Sequence, residues 1–478
     1  MAFSSIIQTT ISPHDGSTVT ERQYPDSATV DDIIERAAAA QKQWAKVPLS
    51  DRIAIAQKFI DEWPTDGALK VPEELSVEMG RPISQGAGEA RGFLERAKHM
   101  LSIAESSLAD VPLTETDKPG FRRFIRRVPL GVVLVIIPWN FPYLTAVNSV
   151  FPALLAGNAV LLKAAPQTPR SAEIMVDSLI KAGFPKDLVV AVHLSPDLTK
   201  QAIQHPLVDF VSFTGSVAGG RAVEEAAVSA SGFKGVALEL GGKDPAYVRA
   251  DADLDYTVGE LVDGALFNSG QSCCAVERIY VHESIYDTFV SRFADIAKGY
   301  KLGDPSSETT NLGPVVSIAS ATRIRKQVSD AVAAGAKTLV PEDLFPIAKE
   351  GTAYVAPQVL IDVNHSMDVM KEETFGPIVG IQKVTSDAEA VKLMNDSPYG
   401  LTASIWTNAA ANPESEAAFL ELEAEVEAGT VFLNRCDYLD PALCWTGVKD
   451  SGRGISLSKF GYDQLTRAKS VHMKIKTA

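Results

Sequence analysis

From residue 131 onward, short uninterrupted apolar runs alternate with segments whose apolar residues recur every three or four positions. Val132 to Ile137, Ala159 to Lys163, Leu188 to Val192, Phe210 to Gly215 and Val236 to Leu240 predict strands. The stretches near 144–156, 170–182, 196–203 and 218–230 predict the helices between them. Strands that are apolar on both faces belong to a parallel sheet wrapped by helices, and ligands in such sheets sit at the carboxyl ends of strands. A second series follows, with helices near 253–268, 286–300, 319–334, 386–396 and 411–427 and strands near 278–282, 358–362, 377–383, 402–407 and 429–434. The fold class is α/β, in two units.

Ahead of these, residues 27–110 read as a run of helices. Thr29-x-x-Asp32 opens the first as a capping box, and Ser50 is positioned to cap the second. Nothing in this stretch announces chemistry, so it reads as a helical wall. Between Phe121 and Val128 polar and apolar residues roughly alternate, which predicts a basic strand with one exposed face. Such an edge needs pairing, and a partner subunit is one way to supply it.

Composition narrows the function. The chain has 478 residues and a formal net charge of −15, which disfavours phosphate backbones and anionic membranes as partners. Met1 to Thr10 has no basic region followed by an apolar core, and no stretch reaches membrane-spanning length. Four cysteines, two of them adjacent, suit neither a disulfide framework nor a zinc site, so no metal is expected and the protein is expected to be cytoplasmic.

Candidate chemistry centres on Phe267-Asn268-Ser269-Gly270-Gln271-Ser272-Cys273-Cys274, between the helical run Leu254–Leu266 and the strand Arg278–Val281. A lone cysteine reads as buried filler. It becomes a nucleophile where a base, an oxyanion donor and a cofactor cradle accompany it. Asn140, in Pro138-Trp139-Asn140-Phe141-Pro142, is either a neutral oxyanion donor or a turn residue. Lys163 ends a strand where it reaches a nucleotide or merely solvent. The loop Phe213 to Gly220 is either a phosphate cradle at a helix start or a glycine turn. Glu239, beside Gly241 and Gly242, is either a mobile general base or a structural carboxylate. Glu373 and Phe375 point to one side of an extended segment, as a ribose and ring contact or a routine loop.

PWNFP at 138, F-T-G-S at 213, E-L-G-G-K at 239, G-Q-x-C at 270, E-E-x-F-G-P at 372, N-D-x-P-Y-G-L at 395 and S-G-x-G at 451 together resemble the aldehyde dehydrogenase superfamily, in its order and over almost the whole chain. The resemblance implies a Rossmann-like dinucleotide-binding domain (1–113 and 130–241), a catalytic domain (242–450) and a small β oligomerisation element (114–129 and 451–478) in a homodimer or homotetramer. It implies oxidation of an aldehyde to a carboxylic acid with NAD or NADP. Cys273 would be the nucleophile, Asn140 and the Cys273 amide the oxyanion donors, and Glu239 the base that activates water. Trp139 and Lys163 would lie on the adenosine side, Phe213, Gly215, Ser216 and Gly220 near the pyrophosphate, and Leu240, Glu373 and Phe375 around the nicotinamide ribose. Cys274 would be a packing residue. Coenzyme A acylation, a rival within the family, does not need Glu239, and an inactive binding homologue would not need Cys273, Glu239 and Asn140 together.

Three departures from the family pattern matter. Pro166 stands where a ribose-binding glutamate is usual, which removes a charge that repels a 2′-phosphate and makes NADP tolerable. Val192-His193-Leu194-Ser195-Pro196 replaces a glycine-rich loop, and Cys444-Trp445-Thr446-Gly447 replaces P-F-G-G. By the resemblance Tyr143, Phe267, Asp437, Leu439 and Trp445 line the substrate tunnel and suit medium-sized aliphatic or aromatic aldehydes. Alternatively Arg435 binds the carboxylate of a semialdehyde such as succinic semialdehyde.

Overall fold

The computed structural model describes residues 7–113 and 118–476, so the first six residues and residues 114–117 of the expected oligomerisation segment lie outside the described residues. An antiparallel hairpin of β1 (Ile7–Ile11) and β2 (Thr18–Gln23) opens it, unannounced by the sequence pattern. Helices α1 (Ser27–Trp44), α2 (Leu49–Glu62), α3 (Val71–Met79) and α4 (Ile83–Leu108) follow. Asp26, not Thr29, caps α1, its carboxylate accepting the Thr29 N–H at 2.7 Å. Pro48 precedes α2 with no side-chain cap, so Ser50 falls inside the helix.

After β3 (Val111–Pro112) and β4 (Phe121–Pro129) comes the first parallel unit. It consists of β5 (Val132–Ile136), α5 (Pro142–Ala156), β6 (Ala159–Lys163), α6 (Pro169–Ala182), β7 (Val189–Ala191), α7 (Pro196–Gln204), β8 (Val208–Thr214), α8 (Val217–Val228) and β9 (Gly235–Glu239). The chain runs outward from β5 through β6 to β7, then returns to the far side of β5 for β8 and β9. Reversal of direction opens a crevice at the carboxyl ends of β5 and β8, the usual ligand position in such sheets.

The second unit comprises β10 (Asp244–Val248), α9 (Leu254–Leu266), β11 (Val276–His282), α10 (Tyr286–Lys298), α11 (Ile318–Ala333), β12 (Lys337–Thr338), β13 (Gln358–Ile361), α12 (Asp368–Lys371), β14 (Ile378–Val384), α13 (Asp387–Asn395), β15 (Thr402–Trp406), α14 (Pro413–Glu423) and β16 (Thr430–Leu433). Its seven strands lie in the order β12-β13-β14-β11-β10-β15-β16, parallel except β12. Two separate apolar clusters are built around this sheet. The alternation of strand and helix makes both units Rossmann-like α/β layers.

The C-terminal segment returns to the first unit. β17 (Gly452–Arg453) pairs antiparallel with β9 and completes a six-stranded sheet, and α15 (Ser458–Gln464) leads to β18 (Thr466–Lys474). β18 pairs antiparallel with β4 along its whole length, from Thr466 opposite Pro129 to Lys474 opposite Phe121, while β3 meets Ile125 and Phe124 on the other side. The pairing expected from a partner subunit is therefore supplied within the chain. Among the described residues no helix is long and apolar enough to cross a membrane.

Candidate active site

Between α9 and β11 the backbone takes three consecutive left-handed residues, Asn268 (φ 52°), Ser269 (φ 57°) and Gly270 (φ 70°). Two are not glycine, so this conformation is costly and persists only because its surroundings fix it. Asn268 Oδ1 accepts from Arg81 Nε at 3.1 Å, Ser269 Oγ donates to Gly313 O at 2.9 Å, and Gln271 Oε1 accepts from Val316 N at 2.7 Å. A Cβ on Gly270 would stand 2.1 Å from Gly376 O. Gly270→Ala is therefore expected to destabilise the protein by roughly 2–4 kcal/mol through strain and overpacking, read from the chemical denaturation midpoint. An unchanged midpoint would show that the turn relaxes freely.

The turn delivers Cys273 to the amino end of β11, facing the carboxyl ends of β5, β8 and β9. Two cavities meet there. The larger, about 380 Å³, is lined by residues of α4 and α5 together with Phe267, Cys274, Leu401, Asp437, Leu439 and Trp445. The smaller, about 220 Å³, lies in the crevice beyond β5 and β8 and is lined among others by Trp139, Asn140, Gly215, Ser216, Glu373 and Phe375. Cys273, Glu239, Leu240, Thr214, Thr145 and Phe141 line both.

Glu239 ends β9, and Ser456 Oγ donates to its Oε1 at 2.5 Å while Thr214 Oγ1 reaches Oε2 at 3.4 Å. Burial pushes its carboxyl upward, against these hydrogen bonds and the charge of Arg96. Asn140 is 3% exposed and gives one amide hydrogen to Gln271 O at 3.2 Å, keeping the other. The Cys273 N–H has no acceptor among the described residues. Cys274 is more than packing. Its Sγ donates to Asp437 Oδ1 at 3.0 Å, which also accepts from Ser272 Oγ at 3.0 Å. Burial pushes Asp437 up to about 6, and the hydrogen bond with Cys273 followed by burial pushes the Cys274 thiol up.

Glu277, on β11, fixes the loop that carries Glu373. Its carboxylate accepts from Thr374 N and Phe375 N, each at 2.8 Å, and from Lys243 Nζ at 2.5 Å. Glu373 in turn accepts from Gly242 N at 3.0 Å, and burial followed by the nearby charge of Glu277 pushes it up to about 7.

Five expected residues, Tyr143, Lys163, Phe213, Gly220 and Arg435, are not on the walls of the two cavities. Tyr143 is fully buried, packed on Trp63 with its hydroxyl on Glu74 Oε2 at 3.1 Å, which corrects its assignment to the substrate tunnel. The helix explains why: Phe141, Leu144, Thr145 and Asn148 share the face of α5 toward the cavity, and residue 143 falls on another face. Lys163 ends β6 with Nζ on Ala164 O at 3.3 Å, and burial lowers it to about 8. The Phe213 ring lies under the glycine turn, where a Cβ on Gly215 or Gly219 would meet it at 2.7 Å, and a Cβ on Gly220 would meet Leu240. Arg435 is exposed, its guanidinium 3.5 Å from the centre of the Tyr438 ring, and it lines neither cavity.

Residues 27–110 prove to be no chemically empty wall. Arg81, 1% exposed, pairs with Glu89, donates to Asn140 O and lies 4.3 Å from the centre of the Phe141 ring. Glu89 accepts from Tyr143 N at 2.8 Å at the start of α5. Arg96 reaches the larger cavity from the same helix as Glu89. The signal was available, because Glu89 and Arg96 are charged positions in the otherwise apolar stripe Gly86, Ala90, Phe93, Ala97 and Met100 of α4.

Among the described residues no cluster of three or more His, Cys, Asp or Glu is arranged to hold a metal ion. The smaller cavity suits a nucleotide: it opens at the switch of strand direction, has Gly215 and Gly241 in its wall, and presents the half-buried carboxylate of Glu373.

A family model described as the aldehyde dehydrogenase family matches residues 4–471. A succinate-semialdehyde dehydrogenase [NADP(+)] from Mycobacterium avium is 34% identical over 474 residues, covering 97% of this chain and 96% of its own. A 3,6-anhydro-alpha-L-galactose dehydrogenase from Streptomyces coelicolor is 35% identical, covering 97% and 92%. Among solved structures, a succinic semialdehyde dehydrogenase from Streptococcus pyogenes in complex with NADP+ superposes with a TM-score of 0.90 at 29% identity, covering 98% of this chain and 99% of the other.

Proposed function

Because the chain belongs to the aldehyde dehydrogenase family and is an NAD(P)-dependent enzyme of that class, we propose that it oxidises its aldehyde through a covalent adduct on Cys273 and hydrolyses that adduct with Glu239 as base. The observation that carries this reading is the place of Cys273 and Glu239 on the wall shared by both cavities. A thiol there meets an aldehyde from one side and a dinucleotide from the other.

The Cys273 thiolate bonds to the carbonyl carbon, and the oxygen becomes an anion. Its two donors are the Cys273 N–H and the second amide hydrogen of Asn140, held in place by Gln271 and Arg81. When bound, the nicotinamide cofactor supplies the hydride acceptor that turns this adduct into a thioester. Glu239 takes a proton from water, which adds to the thioester carbon, and Cys273 leaves as the acid is released. Trp139, Gly215, Ser216, Leu240, Glu373 and Phe375 would hold the cofactor. Pro166, whose carbonyl accepts from Gln8 and Thr10, brings no negative charge against a 2′-phosphate, so NADP+ is accepted as well as NAD+. The larger cavity, walled by Phe141, Leu144, Phe267, Leu439 and Trp445, suits medium-sized aldehydes.

Purified enzyme given a panel of aldehydes with each cofactor is expected to raise the absorbance of reduced nicotinamide and to release the acid. Folded enzyme that reduces neither cofactor with any aldehyde would defeat the proposal in favour of an inactive binding homologue.

A further inference from the structure

One buried charge in the larger cavity is left without an ion-pair partner among the described residues. Arg96 is 7% exposed, and its Nη1 donates to Leu144 O at 2.7 Å and to Asn148 Oδ1 at 3.2 Å. Its Nε and Nη2 have no acceptor among the described residues, are not sealed in the packing, and belong to a side chain that lines the cavity. Among those residues no carboxylate lies within 4.0 Å of it. A guanidinium keeps its charge near neutral pH, and an unpaired buried charge costs stability unless an anion compensates it.

Every carboxylate on the cavity wall has another partner. Glu89 pairs with Arg81, and Glu95 accepts from the Tyr438 hydroxyl at 3.0 Å. Asp437 is taken by Ser272 and Cys274, and Glu239 by Ser456 and Thr214. Arg91, exposed on the same helix and also on the wall, has no partner among the described residues. Among the described residues the cavity thus carries one free cation inside, Arg96, and one exposed on its wall, Arg91, within largely apolar surroundings.

Resting on the reading above, we propose that Arg96 anchors an anionic group of the substrate, and that preferred substrates are aldehydes with a carboxylate at the far end of a short chain. The free Nε–Nη2 edge offers two parallel donors, the geometry that takes a carboxylate side-on. Arg91 attracts the same charge toward the cavity. The competing assignment, in which Arg96 serves only as charge support for Cys273 and Glu239, predicts different kinetics.

The test compares kcat/KM for short ω-carboxy aldehydes with that for unsubstituted aldehydes of equal chain length. Wild type is expected to favour the carboxylated member, and Arg96→Met to cut that ratio by about ten- to a hundredfold, mainly through KM. Arg96→Lys, which keeps the charge and loses the fork, is expected to keep part of the ratio. Independently of turnover, succinate is expected to slow alkylation of Cys273 by iodoacetamide in wild type but not in Arg96→Met. An unchanged ratio, absence of succinate protection, or an equal fall in kcat for both aldehyde classes would overturn the anchor. Wild type that turns over no aldehyde would instead sink the proposed activity, with succinate protection still deciding the fate of the anchor.

Discussion

Cys273→Ala is expected to lower kcat for aldehyde oxidation by roughly four orders of magnitude or more, the scale on which loss of a covalent nucleophile is felt. Among the described residues, Cys273 carries the one thiol on the wall shared by both cavities, and a thiolate is the strongest nucleophile there. Cys274 does not substitute, because its thiol is buried, held by Asp437 and pushed further toward the protonated form. Alanine is smaller than cysteine and leaves Gly215, Ser216, Glu373 and the rest of the smaller cavity's wall in place, so cofactor affinity is expected to stay within about twofold. Titration of intrinsic fluorescence with NAD+ and NADP+ measures this directly. Residual turnover above about one percent, in protein free of wild-type contamination, would move the chemistry to another residue.

Glu239→Gln is expected to separate the two halves of the reaction. The first, attack and loss of hydride, needs Cys273 and the oxyanion donors; the second needs a base for water. Rapid mixing should show a burst of reduced nicotinamide close to one equivalent per active site, followed by steady turnover about a hundred- to ten-thousandfold slower than wild type. Glutamine keeps the hydrogen-bond acceptor that Ser456 uses, so the site stays assembled. Burial holds the Glu239 carboxyl above its ordinary range, and only the ionised form takes a proton. Wild-type turnover should therefore begin to fall, as pH is lowered, at a pH above that at which a solvated glutamate protonates, while the burst amplitude persists. Equal loss of burst and turnover in Glu239→Gln would assign this residue to the first half.

The parallel units were legible because strands buried on both faces leave apolar runs: those of β5 and β6 match the pattern to within a residue, whereas β8 and β11 begin two residues before the predicted runs, at Val208 and Val276. β10 was missed because Asp244 and Pro245 break its apolar run at the start, although all five of its residues are buried. The periodicity did not show β18, because a mostly exposed strand leaves only a weak pattern; the resemblance alone put a β element in that segment. Motif spacing pointed to Cys273, Asn140 and Glu239, and the fold sets all three on one cavity. Tyr143 was misplaced because the resemblance assigns positions along the chain and does not say which face of α5 a residue takes. Arg81, Arg96 and Ser456 reach the site across long sequence separations, through tertiary contacts that no local pattern encodes.

The return of the chain from Gly452 onward to its first sheet has a bearing on biogenesis. Ser456, which steadies Glu239, and β18, which zips along β4, are both made after every other part of the site. A growing polypeptide on the ribosome therefore displays an unfinished sheet edge and an unsupported base until residues 456–474 have emerged, and products truncated before them should be inactive and prone to clump at β4.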